Sequence, residues 1–243
     1  METSPKGRRT LKKKLLQLLK EKHLASAREE AGRFPRLQVI NILFSFLPHV
    51  DEKVKWAAVE IMGELVAELA DQDMEAARTV MRRLMWNLNE ESGGIGWGSP
   101  EAMAEILSRH RSLANEYARI LISYAMENGN YLEMEMLQRG LLWGIGRLAE
   151  AWHDLAAPAA PLIPPYLASK DATVRAYAAK LAGVLKIVEA WPELEHLLED
   201  QTKVTIREGR KFSTYKVKDL AAKAVQGMME GKQGSGHLSK VFS

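Results

Sequence analysis

The residues best placed to do chemistry lie in one stretch, Glu90-Glu91-Ser92-Gly93-Gly94-Ile95-Gly96-Trp97-Gly98-Ser99. Closely spaced glycines let backbone N–H groups approach an anion at a helix N-terminus, so a phosphate cradle is the first chemistry to weigh. No apolar strand precedes the loop, the GxGxxG spacing breaks at Ser99, and Pro100 removes a donor from the first helical turn. Glu90, Glu91 and Glu101 would also repel a phosphate. Ser99 followed by Pro100 reads instead as an N-cap and the first helical residue. Ordering four glycines costs much backbone entropy, which implies that Ile95 and Trp97 are being placed for a purpose. Tucked inward, Trp97 fills a gap between irregular repeats. Turned outward, Ile95 and Trp97 form an apolar anchor inside a rim of Glu90, Glu91 and Glu101. The candidate partner-binding residues are therefore Glu90, Glu91, Gly94, Ile95, Trp97 and Glu101.

Other reactive residue types show no pattern that does chemistry. His23, His49, His110, His153, His196 and His237 stand singly, with no pair at i, i+4, so neither a metal site nor a cofactor is expected. Glu133 and Glu135 lie two apart and would diverge on a helix, whereas Glu101 and Glu105 share a face but lack a third ligand. No catalytic residue is assigned. Trp56, Trp86, Trp143, Trp152 and Trp191 fall mostly at inward or helix-end positions, where core packing is expected.

The elements that hold these residues announce themselves by self-similarity. The run from Asp51 to Leu65 lies over the run from Asp171 to Leu185 at an offset of 120 residues, matching Val54 to Val174, Lys55 to Arg175, Ala58 to Ala178 and Gly63 to Gly183. Leu137, Gln138, Leu141, Ile145, Gly146 and Leu148 take the places of Val174, Arg175, Ala178, Ala182, Gly183 and Leu185. Spacings that divide into units of roughly 40 residues are typical of helical solenoids. Three- and four-residue apolar spacing predicts helices over 51–69, 74–88, 100–110, 113–128 and 134–151, preceded by one from Pro35 to Pro48. The leucines at 11, 15, 18 and 19 predict an amphipathic capping helix. Lys203 to Lys216 alternates β-branched or aromatic with polar residues around Glu208-Gly209, which predicts a β-hairpin inside the last repeat.

Of the 243 residues, 47% are apolar and 27% charged, an ordinary globular composition, and cysteine is absent, which excludes disulfides and thiolate chemistry. No apolar run approaches the ~20 residues of a membrane span, and a cytoplasmic location is expected. Residues 1–36 hold 11 Lys+Arg against 4 Asp+Glu, so the basic character sits in an N-terminal arm and the body is net acidic.

The run Asp171-Ala172-Thr173-Val174-Arg175, with Pro164-Pro165 before it, resembles HEAT repeats, the helix pairs of α-solenoids. That resemblance implies an all-α, right-handed α-solenoid of about five helix pairs with the hairpin in the last repeat. It makes Asp51, Lys55, Gly63, Asp171, Arg175 and Gly183 structural repeat residues. The stretch Met85 to Glu101 is also similar to one in small bacterial HEAT-like proteins. The expected organisation is a basic arm with capping helices over 1–34, repeats over 35–230 with the glycine-rich loop at 90–99 and the hairpin at 203–216, and a flexible tail over 231–243. The expected function is non-enzymatic: a scaffold or assembly factor holding an unidentified protein partner on its concave face and glycine-rich loop. Trp143, Arg147 and Trp152 suggest the alternative of a nucleic-acid-binding enzyme similar to HEAT-like glycosylases for alkylated DNA bases, although that family's tryptophan-flanked aspartate is not found here.

Overall fold

A computed structural model describes residues 5–21, 23–89 and 96–235 of the chain, which divides into two units, residues 1–114 and 115–243. The first unit holds α1 (Pro5–Lys20), α2 (Leu24–Gly32), α3 (Arg36–Phe44), α4 (Glu52–Gln72), α5 (Met74–Asn89) and α6 (Ser99–Arg109). In α1, Leu11, Leu15 and Leu19 are buried, so the basic arm docks through its leucine stripe. Lys14 reaches Glu30 at 2.7 Å, and the Lys12 ammonium lies 5.7 Å from the Phe46 ring centre. α4 is the centre of this unit. Its buried Val54, Ala58, Ile61 and Met62 recur at helical spacing, and it packs against α1, α3, α5 and α6. Asp51 caps it, its carboxylate accepting from the Lys53 N–H at 2.9 Å. A Cβ at Gly63 would stand 2.6 Å from Glu105 Cγ, which marks how closely α6 approaches.

The start of α6 differs from expectation. The cap position is Gly98, not Ser99, because the chain passes the Leu47 carbonyl in the left-handed region, with φ +79°, where a Cβ would come within 2.6 Å of that oxygen. Ser99 becomes the first helical residue, buried, with no partner for its hydroxyl among the described residues.

The point of division falls within α7 (Arg111–Ser123). The expected helix over 113–128 ends at Ser123 because the following chain turns back and takes up the helix's last acceptors. The N–H groups of Asn130 and Leu132 donate to the carbonyls of Ser123 and Tyr124 at 3.2 and 3.1 Å, and Asn130 Nδ2 donates to Ser123 Oγ at 2.9 Å.

The second unit continues with α8 (Glu135–Ala151), α9 (His153–Ala156), a 3-10 turn (Ala157–Leu162), α10 (Pro164–Leu167), α11 (Ala172–Leu185), a second 3-10 turn (Val188–Ala190) and α12 (Trp191–Leu197). Pro158, Pro161, Pro164 and Pro165 keep residues 153–167 in short pieces, since each removes a backbone donor. α11 is the counterpart of α4, burying Val174, Ala178, Leu181, Ala182 and Leu185 and packing against α8 and α13 (Val217–Ser235). Asp171 caps it, accepting from the Val174 N–H at 2.9 Å. A Cβ at Gly183 would stand 2.9 Å from the Ala224 Cα of α13. The hairpin pairs β1 (Lys203–Glu208) with β2 (Lys211–Lys216) in antiparallel register, Val204 opposite Tyr215 and Ile206 opposite Ser213. Gly209 has φ +53° at the turn, and the Arg207 N–H donates to the Tyr177 hydroxyl of α11 at 2.9 Å. Among the described residues the fold is all-α with this hairpin, as the apolar spacing and the alternation over 203–216 predict.

Candidate functional site

The glycine-rich segment is only partly within the described residues, and Glu90, Glu91, Gly94 and Ile95 lie outside them. Trp97 is half-buried, its indole N–H buried without a partner among the described residues. Glu101 does not stand on an acidic rim: it is 4% exposed and faces Lys55 at 3.4 Å, because α6 presses this face onto α4. Glu52 holds the same ammonium at 3.0 Å. Burial works to lower the Lys55 pKa, and the Glu101 and Glu52 carboxylates overcome it, raising it above the ordinary 10.5. Glu105 is likewise buried and bonded to Arg109 at 2.7 Å, so the shared face of Glu101 and Glu105 is an interior ionic layer and not a solvated one. Trp86, expected in the core, is 67% exposed on α5.

In the second unit the matched positions make an ionic ladder. Arg139 Nε lies 3.1 Å from both Asp171 oxygens, and Arg139 also bonds that carboxylate through its Nη2. Arg175 reaches Asp200 at 2.7 Å and the carbonyls of Ser169 and Lys170 at 2.8 and 3.1 Å. Burial alone would raise the Asp171 and Asp200 carboxyls. Hydrogen bonds from Arg139 and Val174 to Asp171, and from Thr202 and Arg175 to Asp200, hold both below the ordinary 3.8.

Where the repeat pattern lapses, the second unit opens. A cavity of about 620 Å3 lies between the turn after α7, the start of α8 and the proline-rich pieces before α11. Three carboxylates line it, Glu127, Glu133 and Glu135, all exposed and without an ion-pair partner among the described residues. Glu133 and Glu135 were expected to diverge. They line one cavity because Glu133 precedes α8 while Glu135 is its first residue, so the two do not share regular helix geometry. The lining cation is Lys170. Tyr131 and Tyr166 form the aromatic wall, with ring centres 6.4 Å apart, and Leu162, Pro161 and Pro165 form the apolar one. Burial, and after it Tyr131 and Glu127, raise the Tyr166 pKa well above its ordinary value, so its hydroxyl is a neutral donor, placed 3.5 Å from the Ala125 carbonyl.

Beneath these groups sits Gln138, 6% exposed. Its Nε2 donates to the Tyr131 hydroxyl at 3.2 Å and to the Leu132 carbonyl at 2.9 Å, while its Oε1 accepts from nothing among the described residues. Gln138 occupies the repeat position that is Lys55 in one copy and Arg175 in another. Loss of the basic residue at that position was the one sequence signal that could have pointed here; Tyr131, Tyr166 and Glu127 carried none.

No protein-family model matches the chain. A protein of Archaeoglobus fulgidus, described as uncharacterized, is 31% identical over 116 residues, which is 46% of this chain and 55% of that one. The chain thus spans little more than half the length of that relative, which is archaeal. Among solved structures, an engineered protein aligns over 91% of this chain and 97% of its own at 16% identity, with a TM-score of 0.51. An archaeal HEAT-like repeats protein from Thermococcus onnurineus NA1 aligns over 90% of this chain and 80% of its own at 13% identity, with a TM-score of 0.44. The chain shares its largely helical fold with that engineered protein.

Proposed function

We propose that the chain is a non-catalytic protein-binding scaffold, of the kind an assembly factor also uses, and that its main contact point is the cavity of the second unit. Helical repeats commonly serve as protein-interaction surfaces. The observation that carries the reading is the cavity itself: about 620 Å3, of ligand-pocket size, with tyrosines and prolines on its walls and carboxylates at its mouth. Met134 and Met136, sequence neighbours of the lining Glu133 and Glu135, are exposed and offer soft apolar surface to a partner. Trp97, in the first unit, is a separate candidate anchor.

The test is capture from a nuclease-treated native extract with the wild-type chain, the surface variant Glu133→Lys/Glu135→Lys, and Trp97→Ala. A stoichiometric protein retained by the wild type and lost with the double variant is expected. Equal retention by both removes the cavity from the contact, and retention of nucleic acid alone in untreated extract moves the glycosylase-type reading to first place. Partner retained by Trp97→Ala assigns that side chain to packing.

A further inference from the structure

The matched repeats satisfy their carboxylates from within. Lys55 answers Glu101 and Glu52, and Arg175 answers Asp200. At the third copy the same position is the neutral Gln138, and the cap position, Asp51 or Asp171 elsewhere, is Met134, which makes no side-chain cap. The cation that the other copies carry is missing here, yet three carboxylates still converge on the space in front of it, against one ammonium. The Gln138 amide, which lines the cavity, is held by its nitrogen, so its oxygen is left as a further acceptor. Acceptors outnumber donors among the lining groups, three carboxylates and the Gln138 oxygen against the Lys170 ammonium, and the wall beside them is aromatic.

Resting on the protein-binding reading, we infer that this cavity receives an arginine side chain from an extended segment of the partner protein. A guanidinium is planar, stacks on an aromatic face and offers a fork of donors to carboxylates, whereas an ammonium offers a compact, more strongly hydrated charge. Tyr131 and Tyr166 supply the face, Glu127, Glu133 and Glu135 the counter-charge, and the lining Gln138 a further acceptor. Leu162, Pro161 and Pro165 cover the aliphatic stem.

The experiment uses the full chain with methyl-labelled methionines, following Met126, which lines the cavity, during titration with an acetylated and amidated Gly-Ala-Arg-Ala-Gly peptide. Saturable shifts of Met126 are expected, weakening with salt. Citrulline in place of the arginine keeps the shape and removes the charge, and should bind about tenfold more weakly or worse. Glu127→Gln/Glu133→Gln/Glu135→Gln, all at exposed positions, should weaken the arginine peptide about as much while leaving Tm unchanged. Gln138→Lys, which gives this copy the cation its counterparts have, should abolish binding. Equal binding of the citrulline peptide, an unaffected triple variant, or no saturable shift would each overturn the arginine assignment. If that happens while partner capture still depends on Glu133 and Glu135, protein binding at this cavity stands and only the guanidinium assignment falls.

Discussion

α4 in the first unit and α11 in the second grow from matched sequence, and they spend the same positions differently. Both are capped by an aspartate, and both carry a glycine twelve residues later where another helix comes close. The basic residue between them goes inward to a buried glutamate in α4, and in α11 to a half-buried aspartate and two carbonyls at the helix start. The backbone role of the repeat is kept while its ionic role is free to change. In α8 the ionic role is vacated at Gln138, and there the unit opens a cavity. Regular copies close the core, and the irregular one leaves a cavity.

The sharpest way to break this contrast is at the ion pairs. Lys55→Met leaves Glu101 buried without its cation and should cost about 3 kcal/mol in urea unfolding, with much of the loss recovered by adding Glu101→Met. Arg175→Met strands a more accessible Asp200 and should cost about 2 kcal/mol. Equal losses would mean the two ionic positions are interchangeable.

Next come the glycines. At Gly183 a methyl group meets the backbone of Ala224, which cannot move aside, so Gly183→Ala should destabilise by about 2 kcal/mol. At Gly63 it meets the side chains of Glu105 and Arg109, which can give, and the helix gains propensity, so Gly63→Ala should cost no more than about 1 kcal/mol.

The smallest effect separates the units by pH. The Lys55 pKa is raised above 10.5, so its contribution is fully present below that pH and is lost as pH rises through the folded value. The Asp171 and Asp200 pKa values are depressed below 3.8, so their contributions are present above that pH and are lost as it falls through the folded values. Hydrogen exchange should therefore loosen α4 and α6 first in alkali, and α11 first in acid. Loosening of both units together at each extreme would refute the assignment.

Repeat helices were legible because a buried face must recur every three or four residues, as Val54, Ala58, Ile61 and Met62 do, and because the Asp171 to Gly183 run repeats at fixed spacing. The hairpin was legible from alternation around Gly209. The cap of α6 was not, since nothing local to Gly98 reveals that the Leu47 carbonyl will lie against it. Glu101 was misread as rim because burial of a carboxylate depends on Lys55, 46 residues away. The cavity was hidden for the same reason: Glu127, Tyr131 and Tyr166 meet only when α7 stops early and the prolines before α11 shorten the helices that would have filled the space.

The most direct test of the central claim is a photo-crosslinking residue placed at the exposed Met136, next in sequence to the lining Glu135, and in a second strain at Trp86, exposed in the first unit, in the cell that makes the protein. A discrete protein adduct from position 136 that disappears with Glu133→Lys/Glu135→Lys is the predicted result. An adduct from position 86 alone, or one from 136 indifferent to those charges, would contradict it.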